Sequence, residues 1–243
     1  MQLDITRWAV NKLWGEMPAD LKIWKAVRKK EISRNIREFL WKNLHNATKC
    51  GQYWERISNY EQRAICSPCG TVESMEHILT ECKMTGQKQI WSLAKQLWKL
   101  KCEQWPVISY GAILGCGLAS YKNESNKLQK EKNGLFTIIV SEAAYMIWKL
   151  RCEWKFKRET KDDLPPSDIK IHNRCLANMN KRLLLDYITT NKNRYGKWAT
   201  SKKLVAQSWN GVLLNSKNLL DSDVRQSGAL VGIQSWRPPG RNR

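Results

Sequence analysis

Residues 66–82 read CSPCGTVESMEHILTEC, and the order Cys66-x2-Cys69-x7-His77-x4-Cys82 places four metal-seeking side chains in one short stretch. Thiolate and imidazole suit a four-coordinate tetrahedral zinc ion, and a two-residue gap lets a single turn present both Cys66 and Cys69 to it. Pro68 and Gly70 shape that turn, and residues 71–76 form a polar loop that returns the chain over the ion. Residues 77–82 then supply His77 and Cys82 from a short helical turn, with Ile78 and Leu79 facing the core. Protein ligands fill all four positions and leave none for water, so the predicted cofactor is one structural Zn2+. A redox role for the cysteine pair is disfavoured because no βαβ pattern surrounds it and a matched His and Cys follow.

Outward from this module the apolar periodicity is helical. Ile23, Trp24, Val27, Ile32, Ile36, Phe39, Leu40 and Leu44 recur at three- and four-residue steps, with a break at residues 30–33, which predicts two helices over residues 20–46. Residues 51–63 read as a polar connection leading into Cys66. Ile90, Leu93, Ala94, Leu97 and Trp98 mark a helix over residues 87–103 that Trp105-Pro106 ends. Gly111, Gly115 and Gly117 lie among apolar residues and predict a buried turn with close backbone approach; a phosphate loop would need a following Gly-Lys-Ser/Thr, which is missing. Residues 121–134 read as a solvated loop, 137–159 as a long helix with a basic side, and 171–187 as another helix. Residues 191–203 form a basic turn or helix start, and 205–220 a weaker helical or mixed segment.

The predicted fold class is therefore mainly α, a helical domain enclosing a small Cys-Cys-His-Cys zinc-binding module. Its segments are an N-terminal helical region (1–63), the zinc module with its following helix (64–104), a second helical region (105–221) and a disordered basic tail (222–243). The most apolar window, residues 136–150, is too short to span a bilayer and contains Glu142. No membrane partner is expected.

In the 243 residues, 42 Lys and Arg face 22 Asp and Glu, a formal charge of +20 that makes polyanions the natural partners. The surplus is spread through the chain, with 23 basic against 14 acidic side chains in residues 1–150 and 19 against 8 in 151–243. Thirteen Trp stand beside only three Phe. Trp91, Trp98 and Trp148 fall in apolar stripes and predict core packing, while Trp8, Trp14, Trp198, Trp209 and Trp236 adjoin Lys, Arg or Gly and include the candidates for exposure. The N-terminus lacks an apolar signal core, so an intracellular, reducing setting is expected, with Cys50, Cys102, Cys116, Cys152 and Cys175 as free thiols. No paired Asp ends an apolar β-run, and with three His no nucleophile–base signature stands out, so neither an active site nor a small-molecule substrate is expected. His45 and His172 read as structural or surface histidines.

Phe39-Leu40-Trp41-Lys42-Asn43-Leu44-His45, Gly51-Gln52-Tyr53-Trp54, the Cys66–Cys82 module, Gly111 with Leu114-Gly115-Cys116-Gly117-Leu118-Ala119, and Glu142-Ala143-Ala144-Tyr145 through Glu153 resemble a known pattern. It is similar to the zinc-binding region that follows the reverse transcriptase and ribonuclease H domains of non-LTR retrotransposon proteins, especially fungal ones. The likeness covers nearly the whole chain, and the zinc signature is its specific part. It implies the C-terminal portion of such a protein without the catalytic acidic motifs, either as a truncated copy, a stand-alone gene or a decayed remnant.

The resemblance also implies contact with RNA or DNA, possible partnership with reverse transcriptase or ribonuclease H domains, and a nuclear location. The seven-residue middle gap exceeds the four of short zinc knuckles, so their mode of base contact does not transfer. Candidate phosphate contacts are Lys155, Lys157, Arg158, Lys192, Arg194, Lys197, Lys202 and Lys203, with Trp198 for stacking. The competing reading is a protein-interaction scaffold whose helices once braced the catalytic domains.

Overall fold

The structure is a computed structural model that describes residues 2–83, 86–159 (backbone only for 156–159), 166–214 and 231–236. Among these residues it is mainly helical with no strand, and the Cys-Cys-His-Cys cluster is enclosed as predicted. The helices are α1 (Leu3–Trp14), α2 (Asp20–Val27), α3 (Arg34–Leu44), α4 (Gln52–Glu55), α5 (Gln87–Lys99), α6 (Tyr110–Leu114), α7 (Lys130–Glu159), α8 (Asp168–Ile188), α9 (Lys192–Tyr195) and α10 (Lys202–Trp209).

The central element is α7. Leu135, Phe136, Ile139, Val140, Ala144, Ile147 and Leu150 are all buried, and consecutive positions of this kind point to every side of a helix. Such a helix needs neighbours all around it, and α3, α5, α6, α8, α10 and the His77–Glu81 turn supply them. One hydrophobic core runs from Leu3 through these elements to Val231, so the segments 1–63, 64–104 and 105–221 share a single interior. No helix among the described residues is long and apolar enough to cross a membrane.

The glycine-rich segment is packed rather than open. A Cβ on Gly111 would lie 2.3 Å from the Ile5 carbonyl oxygen, and one on Gly117 would lie 2.5 Å from that of Ala26, so α1 and α2 approach through these missing side chains. Beside them the rings of Trp14, Trp98, Trp105, Tyr121 and Phe136 interlock at centroid distances of 4.6–6.5 Å. The fully buried Trp98 donates its indole N–H to the Gln104 carbonyl at 2.7 Å, which meets the polar requirement of an interior Trp. Trp91 and Trp148 pack on the core, Trp14 is half-buried and Trp209 is fully buried, while Trp8 and Trp236 face solvent.

Two sequence expectations change, and one helix of the predicted N-terminal helical region had not been singled out. The predicted solvated loop over 121–134 ends early, because residues 130–134 already belong to α7 and Asn133 faces inward to accept from the Tyr121 N–H at 2.6 Å. α1 carries no obvious stripe, yet Leu3, Thr6 and Val10 form its buried face and Gly15, at φ +72°, ends it. The tail expected to be disordered over 222–243 is ordered at residues 231–236. There Val231 is buried and donates to the Asn180 side chain at 2.9 Å, Gln234 accepts from His172, and Asn173 forms a two-way bond with the Trp236 backbone. Composition could not show this, because the partners lie on α8, about fifty residues earlier or more. The rest of that tail, and residues 215–220, lie outside the described residues.

Candidate metal centre

Two small turns build the site. In the first, the backbone of Ile65 pairs with Val72, the Cys66 N–H donates to Thr71 O at 2.8 Å, and the N–H groups of Cys69 and Gly70 both donate to Cys66 O. Closing so tight a turn requires Gly70 at φ +68°, a conformation that a side chain disfavours. In the second turn, Ser74 caps the His77 N–H at 2.9 Å, and the Cys82 N–H reaches five residues back to His77 O at 2.7 Å. This widened turn is a π-type bulge, a form often found at functional sites. It buries Ile78 and Leu79 while turning His77 and Cys82 to the same side as the first pair.

The donor atoms of Cys66, Cys69, His77 and Cys82 all lie within 4.8 Å of one another. Cys82 Sγ is 3.6 Å from that of Cys66 and 3.9 Å from that of Cys69. Four-coordinate thiolate sites with metal–sulfur bonds of about 2.3 Å space their sulfurs by about 3.8 Å, so these separations fit an ion at the centre. His77 Nε2 is buried without a hydrogen-bond partner, which is costly unless a metal takes it. His77 Nδ1 faces Glu81 at 3.6 Å, the arrangement in which a carboxylate orients a ligating imidazole. The four residues can therefore hold a metal ion, with Nε2 as the imidazole donor.

The thiols differ in character. Burial pushes Cys66 up to about 12, so without a metal it stays protonated at neutral pH. Cys69 is lowered, chiefly because the Lys83 backbone N–H donates to its sulfur, making it the easier thiolate to form. Cys50, Cys116 and Cys175 are raised by burial and lie outside the cluster.

Both turns are anchored to the helical core. Gln87 and Trp91 of α5 donate to the Leu79 carbonyl at 3.1 and 2.8 Å and so hold the second turn. Arg151 of α7 forms an ion pair with the buried Glu73, and Lys155 donates to the carbonyls of Arg63 and Ile65 at 3.1 Å each while lying 3.5 Å from Glu73. Gly51 closes the back of the loop, where a Cβ would meet Glu73 O at 1.8 Å. None of these supports was predicted, although the basic side of α7 and the acid at position 73 were visible.

This arrangement corrects one candidate. Lys155 is not a surface phosphate contact: its side chain is only 16% exposed and braces the loop before Cys66. Burial lowers its pKa, as expected for a lysine held among backbone carbonyls. Lys155→Ala should speed metal loss in a chelator competition and leave nucleic-acid affinity unchanged; the opposite pair of results would return it to the surface role. The side chains of Lys157 and Arg158 lie outside the described residues.

The remaining candidates form one exposed path. Lys192 and Arg194 lie on α9, Lys197 and Trp198 on the following tight turn, and Lys202 and Lys203 in the first turn of α10. The path is tied back by the Thr200 N–H donating to Thr189 O at 2.9 Å, and by Ser201 and Asn191 capping their helices. Trp198 is 73% exposed, with the Lys197 ammonium 5.5 Å from its ring centre. His45 stacks on Trp24 and packs at a tilt against Trp41, and His172 binds Gln234, which fits their reading as structural or surface histidines.

Comparison with family models, curated proteins and solved structures found no match to this chain.

Proposed function

We propose that this chain is a zinc-stabilised nucleic-acid-binding module, non-catalytic on its own, derived from the C-terminal part of a retrotransposon reverse transcriptase polyprotein and working inside the cell, in the nucleus. The observation that carries the binding role is the α9–α10 path: residues 189–214 contain no Asp or Glu, and their five basic side chains flank an indole that is mostly in solvent. Keeping a large apolar ring in water is unfavourable unless a partner covers it, and every base has a face that can stack on it. Lys202 and Lys203 also sit at the end of α10 whose partial charge is positive, where a cation is disfavoured and a phosphate is welcome.

The metal is proposed to be zinc because three thiolates and one imidazole form a soft, four-coordinate set with no open position. It acts at a distance from the contact path by fixing the loop that α5 and α7 clasp. The retrotransposon origin rests on the sequence resemblance, which also suggests that the full assembly includes reverse transcriptase and ribonuclease H domains.

The test is binding of a labelled single-stranded RNA and a matched DNA across a salt series. Affinity should fall steeply as salt rises, with a log–log slope that shrinks by about 0.7 for each phosphate contact removed. Trp198→Ala should cost about 1–3 kcal/mol with little change in slope, whereas Lys197→Ala with Lys202→Ala should flatten it. Salt-insensitive binding, or none, would reject the reading.

A further inference from the structure

A second surface has a different chemistry. Beside α5 a groove of about 500 Å³ is lined by Trp91 of that helix and by Trp105, Pro106 and Val107 of the segment after it. Among the described residues, the exposed Lys88 and Lys95 are its charged lining residues and no acidic side chain lines it. Val107 is 82% exposed, the most of any large hydrophobic residue among those described. Residues 105–108 lie outside any helix, and their backbone makes no hydrogen bond to any described residue. Pro106 also biases Trp105 toward an extended conformation.

We propose that this groove binds an extended segment of a partner protein, apolar along its length and acidic at its flanks. Non-helical backbone with no hydrogen-bond partner among the described residues, beside an apolar cleft, is what an added strand uses: the N–H and C=O groups other than the Pro106 nitrogen supply affinity and the cleft accepts alternate side chains. Covering Val107, Pro106 and the edges of two indoles removes apolar surface from water. The lysines select acidic flanks, and the +20 charge of the chain repels basic peptides, a second copy of itself included. A nucleic acid fits less well. Trp91 and Trp105 are both half-buried against the core, Trp105 beside Trp98 and Phe136, so they present less ring to a base than the mostly exposed Trp198 does.

The experiment selects random displayed peptides of about twelve residues on the zinc-loaded full chain. The strongest is then synthesised with a fluorescent label and titrated by anisotropy. The expected peptide mixes acidic and apolar residues. Its affinity should fall about tenfold or more in Val107→Asp and by a similar factor in Lys88→Glu with Lys95→Glu, because a repulsive charge enters or the attractive pair reverses. All three positions are solvent-exposed, and unchanged circular dichroism and melting temperature confirm the fold of each variant. Trp198→Ala should bind the peptide as the parent does, which separates this surface from the nucleic-acid path. Recovery of no peptide, or of peptides that bind Val107→Asp equally well, overturns the proposal; so does a labelled oligo-dT strand that is lost from Val107→Asp but retained by Trp198→Ala.

Discussion

Stripping the proposed zinc from this protein, or replacing Cys66 and Cys69 with Ser, should lower its melting temperature and open residues 66–72 to hydrogen exchange before the helices around α7. Between the clasped residues on either side, the first turn has little else to hold it: Ser67, Pro68, Gly70 and Thr71 are exposed, and the turn closes through a few main-chain bonds. At free zinc about a thousandfold above the dissociation constant, binding stabilises the native state by about 4 kcal/mol. For a chain of this size that corresponds to a melting shift of roughly 8–16 °C. Acidification should act in the same direction. The buried Cys66 thiol, pushed up to about 12, must release its proton to bind, so affinity should fall by about tenfold per pH unit for each proton released. Calorimetry with and without a chelator, together with zinc titrations at two pH values, measures both effects. An unchanged melting temperature after verified zinc removal would show that the helical clasp alone maintains the loop.

Arg182→Leu is the second substitution expected to have a large effect. Arg182 is 5% exposed on α8, 2.7 Å from Asp186 and 3.9 Å from Glu142 of α7. Asn178 donates to Glu142 at 2.8 Å, and the buried Trp209 of α10 donates to Asp186 at 3.1 Å, so this group joins three helices. Removing the guanidinium leaves the buried Glu142 and the largely buried Asp186 without their counter-charge, a change that costs about 3–5 kcal/mol. Burial already raises both carboxylates above their usual range, more strongly than Arg182 lowers them. An acid with a raised folded-state pKa contributes stability below its unfolded value and loses it as pH rises through the folded one. In the variant those pKa values rise further, so the loss relative to the parent should be greater at neutral pH than near pH 5. Urea unfolding at the two pH values measures the difference; an equal loss at both would mean that Arg182 acts through packing alone.

The two sites differ in how far they could be read from the chain. The candidate metal ligands lie within seventeen residues, and coordination geometry demands that closeness, so type and spacing carried the whole signal. Ile78 and Leu79 were legible for the same reason, as neighbours of a turn whose direction the ligands set. The α9–α10 path was legible because its charge and its indole are adjacent in sequence. Lys155 was not: on the basic side of α7 it has the same chemistry as a surface lysine, and only the approach of residues 63–73 makes it a brace. Arg182 and Asp186 likewise look like an ordinary i, i+4 surface pair until Glu142 and Trp209 close over them.

By itself, then, the sequence determined the helical class, the breaks near residues 30–33 and Pro106, the close-packed glycines and the four residues that can hold a metal. Each depends on residues near one another along the chain, through helical periodicity, backbone freedom or ligand spacing. The tertiary structure alone decided which charges are buried, which tail residues dock on α8, and which apolar residues remain in solvent beside α5. The reason is desolvation: the role of a charged or apolar side chain depends on what lies over it, and here the covering groups come from up to about ninety residues away.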